Sequence, residues 1–152
     1  MLEPERFRDV MAAWPSGVTI VAIRSDDRVI ATTVSAFLSL SLHPPHILLA
    51  LGPNATIRPF LQRGARFGVS VLGSEQRRLA TVYADPYPVG PNPFPTDGEP
   101  LIADALIGLA CTVTDVHDGT DHAIVVASVQ SAVSGAGPPL IRYRRRYHAP
   151  DI

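Results

Sequence analysis

Residues 33–45 read TVSAFLSLSLHPP, and no other run limits the possible folds as much. Val34, Ala36, Leu38, Leu40 and Leu42 are apolar, whereas Thr33, Ser35, Ser39 and Ser41 carry hydroxyls and Phe37 breaks the second set. A period of two means a strand whose faces meet different surroundings. The even positions are expected in a core. The odd positions carry no charge at all, so bulk water is a poor match for them. They suit either a closely packed neighbour or the flat face and polar edge of a ligand. Pro44 and Pro45 stop the run, because neither can donate to a ladder.

The rest of the chain fits around this strand. Phe7, Val10, Met11 and Trp14 fall at i, i+3, i+4 and i+7, which predicts an amphipathic helix over residues 4–14. GVTIVAIR reads as a strand, SDDR as a turn, and VIATTVSAFLSLSL as its hairpin partner. HILLALG is a short apolar run, as expected of a strand buried on both faces. In PNATIRPFLQRG, Asn54 or Thr56 is placed to cap a short helix. ARFGVSVLG reads as a strand, and SEQRRLATVYA as a helix capped by Ser74. LIGLACTVTDVH and DHAIVVASVQSAV flank HDGTDH, where Asp118-Gly119 signals a hairpin. PPLIRYRRRYH supplies a final strand. Residues 85–100 hold six of the 15 prolines and form an irregular loop, long enough to be either functional or mobile. Six or seven strands, two or three short helices and no βαβ alternation predict a mainly β single domain over residues 1–152, an antiparallel barrel.

Several function classes are disfavoured. A net charge of -1 gives no global attraction to nucleic acid or to an anionic membrane surface. The apolar run at residues 47–51 is too short to span a bilayer. No secretory signal is visible, so a cytoplasmic protein is expected. Cys111 is alone, which rules out an internal disulfide. None of the five histidines has familiar zinc spacing, so no metal is expected. RYRRRYH could in principle stack on nucleic acid, but the net charge favours a charged edge strand, or an arginine reaching a small cofactor's phosphate. Two positive candidates remain. Asn54, Ala55 and Thr56, with Arg58, could form an anion site where a helix opens, against ordinary capping as the plainer use of these residues. His122 stands beside a hairpin turn, where loops commonly carry function.

Taken in order, FRDVMAAWPSGVTIV, ATTVSAFLSLSLHPP, the NAT segment, RFGVSVL, VHDGTDH and PLIRYRRRY make a chain that resembles the short flavin reductases with an FMN-binding split barrel, the reductase components of two-component monooxygenases. The resemblance covers residues 7–147. It implies an antiparallel, Greek-key-like split barrel, FMN as cofactor with FAD as the alternative, and NADH or NADPH as hydride donor. It also implies a homodimer and a monooxygenase partner that receives the reduced flavin. By the same resemblance Thr32, Thr33, Val34, Ser35, Ala36 and Phe37 line the flavin, and Gly52 through Thr56 hold its phosphate. His122 lies near the nicotinamide, and Tyr143, Arg144 and Tyr147 match the closing strand. Three departures are visible. Thr120 and Arg145 stand where the family has glycine, and the proline-rich segment replaces a stretch that covers the flavin in relatives. These departures suggest a second reading, a flavin-binding module without reductase turnover.

Overall fold

The computed structural model describes all 152 residues. In chain order the elements are α1 (Pro4–Met11), β1 (Ser16–Gly17), β2 (Thr19–Ser25), β3 (Arg28–Val34), β4 (Phe37–Leu42), β5 (Pro45–Leu51), β6 (Arg66–Val71), α2 (Arg77–Tyr83), β7 (Ile107–Asp118), β8 (Ala123–Ser134), β9 (Ile141–Tyr143) and β10 (Arg146–His148). Single 3-10 turns at Arg58–Phe60 and Ser74–Gln76 complete them. Seven strands form one antiparallel sheet in the order β3-β2-β6-β7-β8-β5-β4, and β1, β9 and β10 form a small second sheet. The edges of the large sheet, β3 and β4, share no ladder, so the barrel is split between them.

Its interior is a cluster contributed by every strand around the barrel. Val21, Val34, Leu49, Phe67, Val69, Cys111, Val113 and Val125 are all buried there. Each such aliphatic or aromatic side chain contributes about 1.5–3 kcal/mol when fully buried. Burial and the negative charge of Glu99 push the Cys111 thiol up to about 12, so it stays neutral and serves as a small apolar filler. A second cluster, with Ile20, Ala31, Leu72, Ala80, Tyr83, Phe94 and Leu140, lies outside the barrel wall under α2.

The structure corrects five local expectations. The long strand over residues 29–42 is broken at Ser35 and Ala36, so β3 pairs with β2 while β4 pairs with β5 at the opposite sheet edge. The break shifts the phase: Val34 and then Phe37 face the barrel interior, and Leu38, Leu40 and Leu42 are exposed instead of buried. β5 buries one face only, Ile47, Leu49 and Leu51, and leaves Leu48 and Ala50 half-exposed. The helix expected after Gly52 is one 3-10 turn at Arg58–Phe60 with no side-chain cap. Ser74 does not cap α2; the Gly73 amide donates to Gln76 Oε1 at 3.0 Å at the start of the preceding turn. The final strand is a hairpin, β9–β10, turning at Arg144 and Arg145.

The proline-rich segment is pinned at several points. Arg24 donates to the carbonyls of Pro95, Thr96 and Gly98 at 2.9, 3.3 and 3.2 Å. Phe94 packs edge-on against Tyr83 with ring centroids 5.8 Å apart. No helix is long and apolar enough to cross a membrane.

Candidate functional site

The break at residues 35–36 opens onto a cleft of about 1330 Å³. One wall is Ser35, Ala36, Phe37 and Leu38 with Leu48 and Ala50 of β5. Asp121 and His122 of the β7–β8 loop close one side, and α1 and the β9–β10 hairpin form the other wall. The backbone explains why a polar planar ligand suits this place. Phe37 N bonds back to Ser35 O at 3.0 Å and Ala50 N to Ala36 O at 2.9 Å, whereas the amides of Ser35 and Ala36 donate to nothing in the chain. Both residues are exposed. Free amides on a short turn with only small side chains are donors for the carbonyl and ring-nitrogen edge of a heterocycle.

His122 is set by two neighbours. Its Nδ1 lies 2.8 Å from Asp121 Oδ1. That hydrogen bond holds the Asp121 carboxyl below the usual carboxylate range. An ionised carboxylate can only accept, so Nδ1 carries the proton and Nε2 is the free ring edge. Nε2 looks toward Gly52, where an added Cβ would stand 3.6 Å from it. The loop after β5 and the β7–β8 loop therefore meet at this histidine.

Arg58 makes the same connection from below. It donates to Asp121 O at 3.0 Å and to Asp118 Oδ1 at 2.8 Å, which commits its guanidinium to the hairpin loop. Asn54 and Thr56 make no side-chain hydrogen bond, and their amides donate to no backbone carbonyl. Pro53 and Asn54 are exposed, and Ala55 and Thr56 half-exposed.

The structure thus brings Ser35, Ala36, Phe37, His122, Tyr143 and Arg144 to one cleft, with Gly52 adjoining through His122. Other candidates face elsewhere. Thr33 donates to Ala80 O at 2.8 Å and points at α2. Thr32 is half-buried, and Val34 is in the barrel core. Tyr147 turns its hydroxyl to Ala80 O at 3.5 Å beneath Arg142, whose guanidinium carbon is 4.6 Å from the ring centroid. Sequence reasoning missed the α1 wall. Phe7, Arg8, Met11 and Trp14 line the cleft, and no residue of α1 is buried. The amphipathic pattern was legible, but it does not say what the apolar stripe meets. A smaller groove of about 580 Å³ under the proline-rich segment has Asp104 as its one charged residue and lacks convergent donors.

Residues 11–151 match the model of the flavin reductase like domain. The reductase component of 4-hydroxyphenylacetate 3-monooxygenase from Thermus thermophilus is 34% identical, over 94% of this chain and 94% of its own. An NADH:riboflavin 5'-phosphate oxidoreductase from Streptomyces pristinaespiralis is also 34% identical, over 97% of this chain and 88% of its own. Among solved structures, the styrene monooxygenase flavin reductase from Pseudomonas putida superposes with a TM-score of 0.87 at 27% identity, covering 96% of this chain and 97% of that one.

Proposed function

The chain belongs to the flavin reductase like family, and from that premise we propose that it is an NAD(P)H-dependent flavin reductase whose reduced product serves a separate monooxygenase. Residues 1–152 act as one unit in this role. The observation that carries the reading is the pair of unpaired amides at Ser35 and Ala36, opening onto a cleft that His122 borders. These residues fit a flavin. Ser35 and Ala36 would donate to its polar edge, Phe37 and Leu38 would pack beside it, and the unpaired amides of Gly52, Asn54 and Thr56 would face its phosphate. FMN is the expected flavin, with FAD the alternative. A bound flavin supplies the redox chemistry, accepting a hydride from the nicotinamide. The protein's share is orientation and exclusion of water, and holding two reactants face to face is worth on the order of 7 kcal/mol or more.

Mixing the protein anaerobically with excess FMN and then NADH or NADPH tests this directly. Bleaching of the flavin's visible absorbance over many turnovers is expected, with NADH the expected donor, since a relative from Streptomyces pristinaespiralis carries the name NADH:riboflavin 5'-phosphate oxidoreductase. FMN binding with no bleaching would overturn the reductase and leave a flavin carrier. A requirement for nicotinamide dinucleotide supports the cytoplasm as the expected compartment.

Two copies of the chain pair to complete the site. Leu38, Leu40 and Leu42 on the edge strand β4 are 47%, 47% and 74% exposed, and Trp14 on the opposite wall is 72% exposed. An apolar strand at a free sheet edge is an aggregation hazard unless something covers it. Leu40→Glu is expected to convert the dimer to monomer on a sizing column with light scattering. It should weaken flavin binding as well, although Leu40 does not line the cleft. Unchanged size and unchanged flavin affinity would rule out this interface.

A further inference from the structure

The cleft carries more positive charge than flavin orientation needs. Arg8, Arg142, Arg144 and Arg145 line it against a single carboxylate, Asp121, in a chain whose net charge is -1. Asp121 is occupied by His122. Arg142 stacks on Tyr147. Arg144 lies over Tyr143, 5.3 Å from its ring centroid, and donates to that hydroxyl at 2.9 Å. Arg8 forms no ion pair, and Arg145 pairs with Asp9 of α1. Arg145 and Asp9 are both more than half exposed.

The backbone under these arginines is unusual. Arg144 and Arg145 both have positive φ, 47° and 63°, in the two-residue turn of the β9–β10 hairpin. Such turns favour Asn and Gly, because a Cβ is disfavoured in the left-handed region. Two consecutive arginines there hold the turn against its own preference. The turn is also fastened in place: Arg144 N donates to Ala12 O at 2.8 Å, at the end of α1. Strained, anchored residues that present charge to a cleft are a pattern associated with ligand recognition.

The geometry points to a phosphate subsite built from Arg145, Arg144 and Arg8, which receives the pyrophosphate of the nicotinamide dinucleotide, with Asp9 as an internal competitor for Arg145. This rests on the reductase reading above. A planar guanidinium is well suited to a phosphate because it can offer two parallel donors. Asp9 keeps Arg145 neutralised until a stronger anion enters.

Two variants separate this from a merely structural ion pair. Arg145→Gly is expected to raise the KM for NADH roughly tenfold, with kcat and the KM for FMN little changed. It should melt at or above the wild-type temperature, since glycine suits the turn. Asp9→Asn should move the NADH KM the other way, downward, by releasing Arg145. A structural pair would shift both variants in the same direction, and that outcome would overturn the subsite. A response confined to FAD affinity would also overturn it, assigning the arginines to a flavin tail. ADP-ribose, which carries the pyrophosphate without the nicotinamide, gives a readout independent of turnover. Calorimetric binding to wild type that is lost in Arg145→Gly supports the subsite even if no flavin is reduced, whereas equal binding to both sinks it.

Discussion

His122→Ala is expected to raise the KM for NADH about tenfold while leaving the dissociation constant for FMN within twofold of wild type. The imidazole closes one side of the cleft, its Nδ1 tied to Asp121 at 2.8 Å and its Nε2 facing the space over Gly52. Free Nε2 is available to a polar group of the hydride donor, whereas the proposed donors to the flavin are the amides of Ser35 and Ala36, which pair with nothing in the chain. Steady-state kinetics with each substrate varied, together with fluorescence titration of FMN, reads both quantities. A loss of FMN affinity with unchanged NADH kinetics would reassign the residue. Asp121→Asn should give a smaller effect in the same direction, since it loosens the ring without removing it. The pH dependence has a definite sign. The Asp121 carboxyl is held below its ordinary value of 3.8, chiefly by the His122 hydrogen bond. The contact therefore contributes fully above that value and is lost only as pH falls through the lowered one. The Asp121 side of the clamp should hold throughout the mildly acidic range.

Gly68→Ala should destabilise the fold by about 3 kcal/mol, at the upper end for an overpacked core position. Gly68 sits in β6 between fully buried Phe67 and Val69. A Cβ there would lie 2.6 Å from Pro100 O and 2.9 Å from Leu101 Cδ2. The nearer atom is backbone, at the end of the proline-rich segment, and it cannot rotate aside. For a chain of this size the loss corresponds to a melting temperature lower by roughly 10 °C. Gly17→Ala is the control, because a Cβ at Gly17 meets nothing within 4 Å. Equal melting of the two variants would mean that residues 85–100 yield easily and are not held as closely as Arg24 and Phe94 imply.

The proline-rich segment also shows where local reading stops. Its composition marks an irregular loop correctly, and composition cannot distinguish a mobile loop from a fastened one. The difference lies in Arg24, 71 residues before the first carbonyl it holds. Arg58 is a similar case. Read locally, an arginine in a short helix after Gly52 belongs to an anion site. In the fold its guanidinium is engaged 60 residues away by Asp118. Ser35 and Ala36 are the most consequential example. Neither is a strand breaker, and Phe37 is the single interruption of the alternation around them, so one continuous strand is the natural expectation. The break arises because β3 is committed to β2 and β4 to β5, at opposite edges of one curled sheet.

What the sequence determined by itself depends on near neighbours along the chain, in hairpin turns and strand stops. The β7–β8 hairpin around Asp118-Gly119, the end of β4 ahead of Pro44-Pro45 and the absence of βαβ units follow from period-two alternation and turn chemistry, which act over a few residues. The resemblance to flavin reductases came from the order of such pieces. The tertiary structure alone decided which of them meet. It turned the Thr33 hydroxyl to α2 and left the amides of Ser35 and Ala36 open. It also brought His122 against Gly52 and set the arginine turn on α1. These are contacts between segments far apart in the chain, and their energy depends on how the barrel closes. No local pattern of residues encodes that distance.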